Sequence, residues 1–362
     1  MLKRLYRNSR FAVLFNFSDE KAFGRTVMLA YNVISNMISW ITGSLFYTAF
    51  LMMNGINLVN IGIITFVPYI ANCFSVFCPS ILERFQKRKW ILAAGRVGYY
   101  TLNLLGITLM PVLVQDASAR IICFVVLTFA ANIINALFVG GYTAWHLKFI
   151  PNDIRAEYFA TTSTVTGFIG CGAALLTGLI ADALASSPYQ DTIVILFRYV
   201  AFALGLLETW LLTRPVEYPY EKTAAHPRLR DIVIKPFSQK KFLLTMMIVF
   251  LWTFFVNVPA GVLNYYLINN VGIQYTFMYA INMVYPFFLL FFLPIWKKWL
   301  LRWGWLKTFA IGAFSGADGI DVFLRDGDEL SLAVFFAPFD PAFSGGGGKY
   351  RLFQYFLCEY AQ

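Results

Sequence analysis

Asn32 and Asn36 stand four residues apart in a stretch that holds no Lys, Arg, Asp or Glu between Arg25 and Glu83. That spacing places both carboxamides on one face of a helix. Asn132 and Asn135, followed by Tyr142, line one face of a later apolar run, and Asn257 and Asn264, with Tyr265 and Tyr266 adjacent, do so in a third. Polar groups in apolar helices turn inward, where they bridge neighbouring helices or line a solute path. With Trp40 they supply donors, acceptors and a stacking ring without charge. That chemistry suits a neutral or sugar-like solute better than a strongly ionic one. The expected substrate contacts are Asn32, Asn36, Trp40, Asn132, Asn135, Tyr142, Asn257, Asn264 and Tyr265, with interhelical hydrogen bonding as the alternative for each.

Ionisable groups inside the apolar runs are few. Glu208 is the candidate coupling carboxylate, because carboxylates within membrane helices are the usual proton relays. Asp182 at the outer end of the fifth run and Glu208 near the inner end of the sixth can be expected to snorkel toward an interface, as can Arg96 and Arg198. The Cys residues at 73, 78, 123, 171 and 358 form no CxxC, and the two His, His146 and His226, pair with no Cys at metal-ligand spacing. No disulfide framework, metal site, cofactor or catalytic cluster is implied.

The elements that position these residues are long apolar runs. Hydrophobic residues make up 59% of the chain, charged residues 13%, and mean hydropathy is +0.63, against roughly 45–50% apolar in soluble domains. A bilayer core takes about 20 apolar residues to cross as a helix. Eight spans are expected, at 27–53, 57–82, 90–114, 120–145, 158–181, 193–213, 242–267 and 274–296. Continuous rather than alternating apolarity excludes barrel strands. Basic residues concentrate in the N-terminal tail and in every second loop (Arg84, Lys87, Arg88 and Lys89; Lys148 and Arg155; Arg214 to Lys241; Lys297 to Lys307). By the positive-inside rule the N-terminus and these loops are cytoplasmic. The net charge of +10 is thus a topology signal, and no continuous basic face points to nucleic acid. The first span is expected to stay as an anchor, since no cleavable signal pattern precedes it.

The chain divides into a cytoplasmic tail (1–26), a six-helix half (27–213), a linker (214–241) with Pro215, Pro219, Pro227 and Pro236, and the start of a second half (242–312). A weak repeat supports the division: Pro79, Lys87 and Trp90 recur at one offset as Pro294, Arg302 and Trp305. Residues 313–362 break the pattern, with Asp318, Asp321, Asp326, Asp328, Glu329, Asp340 and Glu359 and the glycine run Gly345 to Gly348. They are expected to be an aberrant, unordered tail, from truncation or a shifted reading frame.

Six helices, a long basic loop and the start of a parallel repeat resemble the major facilitator superfamily of secondary transporters. The stretch Pro79-Ser80-Ile81-Leu82-Glu83-Arg84-Phe85-Gln86-Lys87-Arg88 resembles that family's loop signature in its acid–Arg pair and its basic pair, while Pro79 and Gln86 replace the two glycines. Ile150 to Phe159, containing Arg155, resembles the family's loop after the fourth helix. The resemblance implies an all-α polytopic bundle that moves a small solute across the cytoplasmic membrane by alternating access. It makes Glu83, Arg84, Lys87, Arg88 and Arg155 a cytoplasmic gate, and its implied partners are a small-molecule solute and membrane lipids. A non-functional remnant, a lipid or polysaccharide flippase and a membrane-embedded transferase are the competing readings.

Overall fold

A computed structural model describes residues 14–17, 19–185 and 187–218, with scattered residues between 238 and 303. All regular structure among the described residues is helical. Among the described residues, four stretches are long and apolar enough to cross a membrane: Leu58–Leu82, Ala117–Leu147, Glu157–Ala183 and Gln190–Leu212.

The first apolar run starts earlier than its hydropathy suggests, because Asp19 accepts from the backbone N–H of Ala22 and caps α1 (Glu20–Thr42). Gly43, extended at φ −88° and ψ 177°, separates α1 from α2 (Ser44–Met53), so the expected span 27–53 is two helices. Gly55, at φ 75°, makes the left-handed turn after α2. Asn57 caps α3 (Leu58–Asn72) through Asn60 N–H at 2.9 Å. A 3₁₀ turn (Cys73–Phe77) and α4 (Cys78–Leu82), with Pro79 in its first turn, complete that run.

The third run is also composite: α5 (Lys89–Tyr100), a π-helical segment (Thr101–Gly106) and α6 (Ile107–Leu113), with Pro111 inside α6. Asp116 caps α7 (Ala117–Leu147) through Ala119 N–H at 2.7 Å. Then follow α8 (Arg155–Ala183) and α9 (Gln190–Leu212).

α1 packs along α8 and α9, while α7 packs along α3 and α5. Glycines set the closest approaches: a Cβ on Gly95 would strike the Phe138 ring, and one on Gly205 the Tyr100 ring. The outer faces carry apolar side chains such as Val112, Ile122, Val126, Leu176 and Leu179, all exposed. Exposed apolar side chains beside helices of membrane-crossing length fit a membrane protein. Most of the expected spans 242–267 and 274–296, most of the linker beyond residue 218, and the tail 313–362 lie outside the described residues.

Candidate functional site

The interior holds a fully paired charge cluster where α1, α5, α7 and α9 converge. Arg96 of α5 donates from Nη2 to Glu208 Oε1 at 2.8 Å and from Nε to the same oxygen at 3.2 Å. Its Nη1 donates to Asn135 Oδ1 of α7 at 3.1 Å, and Nη2 to Ser35 Oγ of α1 at 2.9 Å. The Tyr100 hydroxyl donates to the other carboxylate oxygen of Glu208. Glu208 is 0% exposed and Arg96 9%.

Aromatic faces close the cluster. The guanidinium carbon lies 5.0 Å from the Tyr100 ring centre, 5.5 Å from Tyr99, 5.6 Å from Tyr142 and 5.7 Å from Tyr31. Ring quadrupoles attract a desolvated cation and add to the ion pair. Tyr142 donates its hydroxyl to Leu92 O at 3.0 Å, which pins its ring beside α5. Gly205, one turn before Glu208, leaves room for the Tyr100 ring on α9 and so lets its hydroxyl reach the carboxylate.

The expectation that Arg96 and Glu208 snorkel is therefore corrected. Each supplies the other's counter-charge, which a polar headgroup would otherwise provide. The sequence carried a usable signal. α5 starts and α9 ends at the same face of the bundle, so Arg96 and Glu208 stand about 10 Å and about 6 Å in from that face at 1.5 Å per residue. Opposite charges at similar depth on neighbouring helices are expected to meet. Ser35, Tyr99, Tyr100 and Gly205 carry no such signal, because each gains its role only from the neighbouring helix.

Asn135, Tyr142 and Glu208 are thus brought together. Asn32 is buried and donates to Met28 O at 2.7 Å, and Asn132 donates to Thr128 O at 2.8 Å, each within its own helix. Asn36 and Trp40 form a second locus against α8, where both abut Gly170. Asn36 Oδ1 is buried there without a hydrogen-bond partner among the described residues. Trp40 also meets the edge of Tyr279, ring centres 6.1 Å apart. Asn257, Asn264 and Tyr265 lie outside the described residues.

At the expected gate, Arg84 and Lys87 are exposed and Glu83 is partly buried; among the described residues none of their side chains forms a hydrogen bond or ion pair. Arg88 donates from Nε to Phe85 O at 3.1 Å. The nearby carboxylate of Glu217 accepts from the backbone N–H groups of Arg88 and, at 2.9 Å, Lys89, which caps the start of α5. Arg155 heads α8 with Nε buried and unpartnered.

No protein-family model matches the chain, and no curated protein matches it.

Proposed function

We propose that this chain is a secondary transporter of a small uncharged, hydroxylated solute, working by alternating access with six helices in its first half and its N-terminus in the cytoplasm. The observation that carries the reading is the Arg96–Glu208 pair, enclosed by four helices in a bundle whose outer faces are apolar. Ionisable groups buried in membrane helices mark pathways and coupling sites.

The chemistry follows from the contacts. With Glu208 ionised, Arg96 is neutralised and the four helices are tied together. A proton reaching a carboxylate oxygen of Glu208 removes that counter-charge. Arg96 then holds only Asn135 Oδ1 and Ser35 Oγ, and turns to hydroxyl oxygens of a solute. Protonation and solute binding favour the same rearranged state, and differential affinity of this kind is what shifts a two-state carrier. Asn36 Oδ1 and Trp40 offer an acceptor and a stacking face on the same helix as Ser35.

The test uses the purified chain in proteoliposomes loaded with pyranine, presented with a panel of neutral sugars and polyols and with multiply charged anions. A neutral solute is expected to drive a pH change inside the vesicles. Glu208→Gln is expected to abolish that signal while solute counterflow persists. Preference for a multiply charged anion overturns the substrate reading. Lipid scrambling without solute movement would favour the flippase.

A further inference from the structure

A second buried arginine differs from Arg96: among the described residues, no carboxylate pairs with it. Arg198 of α9 is 3% exposed. It lies ten residues before Glu208, about 15 Å along the helix. Its Nε donates to Thr108 Oγ1 and its Nη2 to Asn103 O, each at 2.7 Å. The rings of Phe50 and Tyr47 cover it, with centres 4.5 and 5.5 Å from the guanidinium carbon.

Among the described residues, the acids nearest to it along the bundle have other partners or face outward. Glu208 is held by Arg96 and Tyr100. Asp182 accepts from the backbone of Tyr275 and Thr276. Asp116 caps α7, and Asp191 is exposed in the first turn of α9. The apolar run from Phe242 to Trp296 contains no Asp or Glu. An isolated charge in a low-dielectric interior is costly unless compensated.

Hydrogen bonding around Arg198 is unbalanced in the same sense. A guanidinium has five N–H donors, and among the described residues Nη1 donates to none. Tyr47 and Thr128 share a single hydrogen bond between their hydroxyls, at 3.2 Å, which leaves one O–H proton over. Tyr99, within electrostatic range of Arg198, accepts from Asn103 Nδ2 at 3.2 Å, and its own proton has no acceptor among the described residues. Thr108 donates onward to Leu104 O, so its acceptor serves Arg198 only. Donors outnumber acceptors, and the charge is positive.

We infer that Arg198, where α2, the π-helical segment and α9 meet, binds a small monovalent anion, chloride in its chemistry, on its Nη1 with the neighbouring hydroxyls. One uncompensated cation calls for one negative charge; a divalent ion would only reverse the imbalance. This site is separate from the Arg96–Glu208 cluster and stands whether or not the chain transports a solute.

The experiment is a sodium bromide titration of the full chain in nanodiscs, replacing sodium gluconate at constant ionic strength, with thermal unfolding read by tryptophan fluorescence. The native chain is expected to show a saturable rise in Tm that Arg198→Gln lacks. The double variant Tyr47→Phe/Thr128→Val keeps Arg198 and removes the hydroxyls; its half-saturating bromide concentration is expected to rise at least about tenfold, the order of one lost hydrogen bond to a charged group. No saturable rise in the native chain, or the same rise in Arg198→Gln, overturns the site. Should Arg198→Gln fail to fold, an unchanged half-saturation in the double variant overturns it.

Discussion

The carboxylate of Asp182, at the end of α8, accepts hydrogen bonds from the backbone N–H groups of Tyr275, at 3.1 Å, and Thr276, at 2.6 Å. It works as a helix cap supplied from another helix, satisfying donors that the first turn of a helix leaves open. The sequence placed Asp182 at an interface as a snorkelling acid; the structure instead makes it a joint between the C-terminal end of α8 and the residues around 275. Phe46 stacks on Tyr275 beside this joint, ring centres 5.2 Å apart. Asp182→Ala is expected to lower stability by about 1–2 kcal/mol, as loss of a cap does, while Asp182→Asn, still a good cap, stays near wild type. Thermal unfolding of the two variants checks this; equal losses would show that charge, not capping, matters.

Removing one member of the Arg96–Glu208 pair leaves the other charged, buried and alone. Arg96→Leu is expected to cost about 3–5 kcal/mol, whereas the double variant Arg96→Leu/Glu208→Leu should lose less than the single change, because an apolar pair leaves no stranded charge. A double-mutant cycle on unfolding in mixed micelles measures the coupling. Additive losses would mean that the two groups do not depend on each other.

The four helices of membrane-crossing length were legible because hydropathy and length decide what enters a membrane. The interruptions were not. Gly43 and the π-helical segment at Thr101–Gly106 leave the apolar pattern intact, since a break in backbone register changes no side chain's hydropathy. Asn135, Tyr142 and Glu208 were singled out for polarity within apolar helices, and they meet at one cluster. Asn132 was singled out by the same rule but bonds within its own helix. Composition cannot tell these cases apart, because the difference lies in which neighbour each helix turns toward. Arg96 and Arg198 were seen as similar residues; only their surroundings separate a paired cation from an unpaired one.

Glycine spacing gives a sharper test of the packing. A Cβ at Gly95 collides with the Phe138 ring, but at Gly98 it meets Ile134 at 3.8 Å, an ordinary contact. Gly95→Ala is expected to destabilise by about 1–3 kcal/mol through overpacking, with Gly98→Ala inside about 0.5 kcal/mol of wild type. Unfolding midpoints of the two variants, measured side by side, decide whether α5 and α7 approach as closely as described.

Gly170 and Gly172 make a comparable pair at the second polar locus. A Cβ on Gly170 would collide with Asn36 Oδ1 and with Trp40, whereas Gly172 faces open space. Gly170→Ala therefore has to displace the carboxamide and the indole, the two groups offered there to a solute. If that locus contacts the solute, Gly170→Ala raises the KM of transport by about tenfold, the equivalent of about 1.4 kcal/mol, and Gly172→Ala leaves it unchanged. Stability separates the two roles of Asn36. Its Oδ1 has no partner to lose among the described residues, so Asn36→Leu is expected to hold or raise the unfolding midpoint while transport falls. A fall in stability with transport per folded molecule unchanged would make Asn36 a packing residue and move the solute path elsewhere, toward Asn135 and Tyr142.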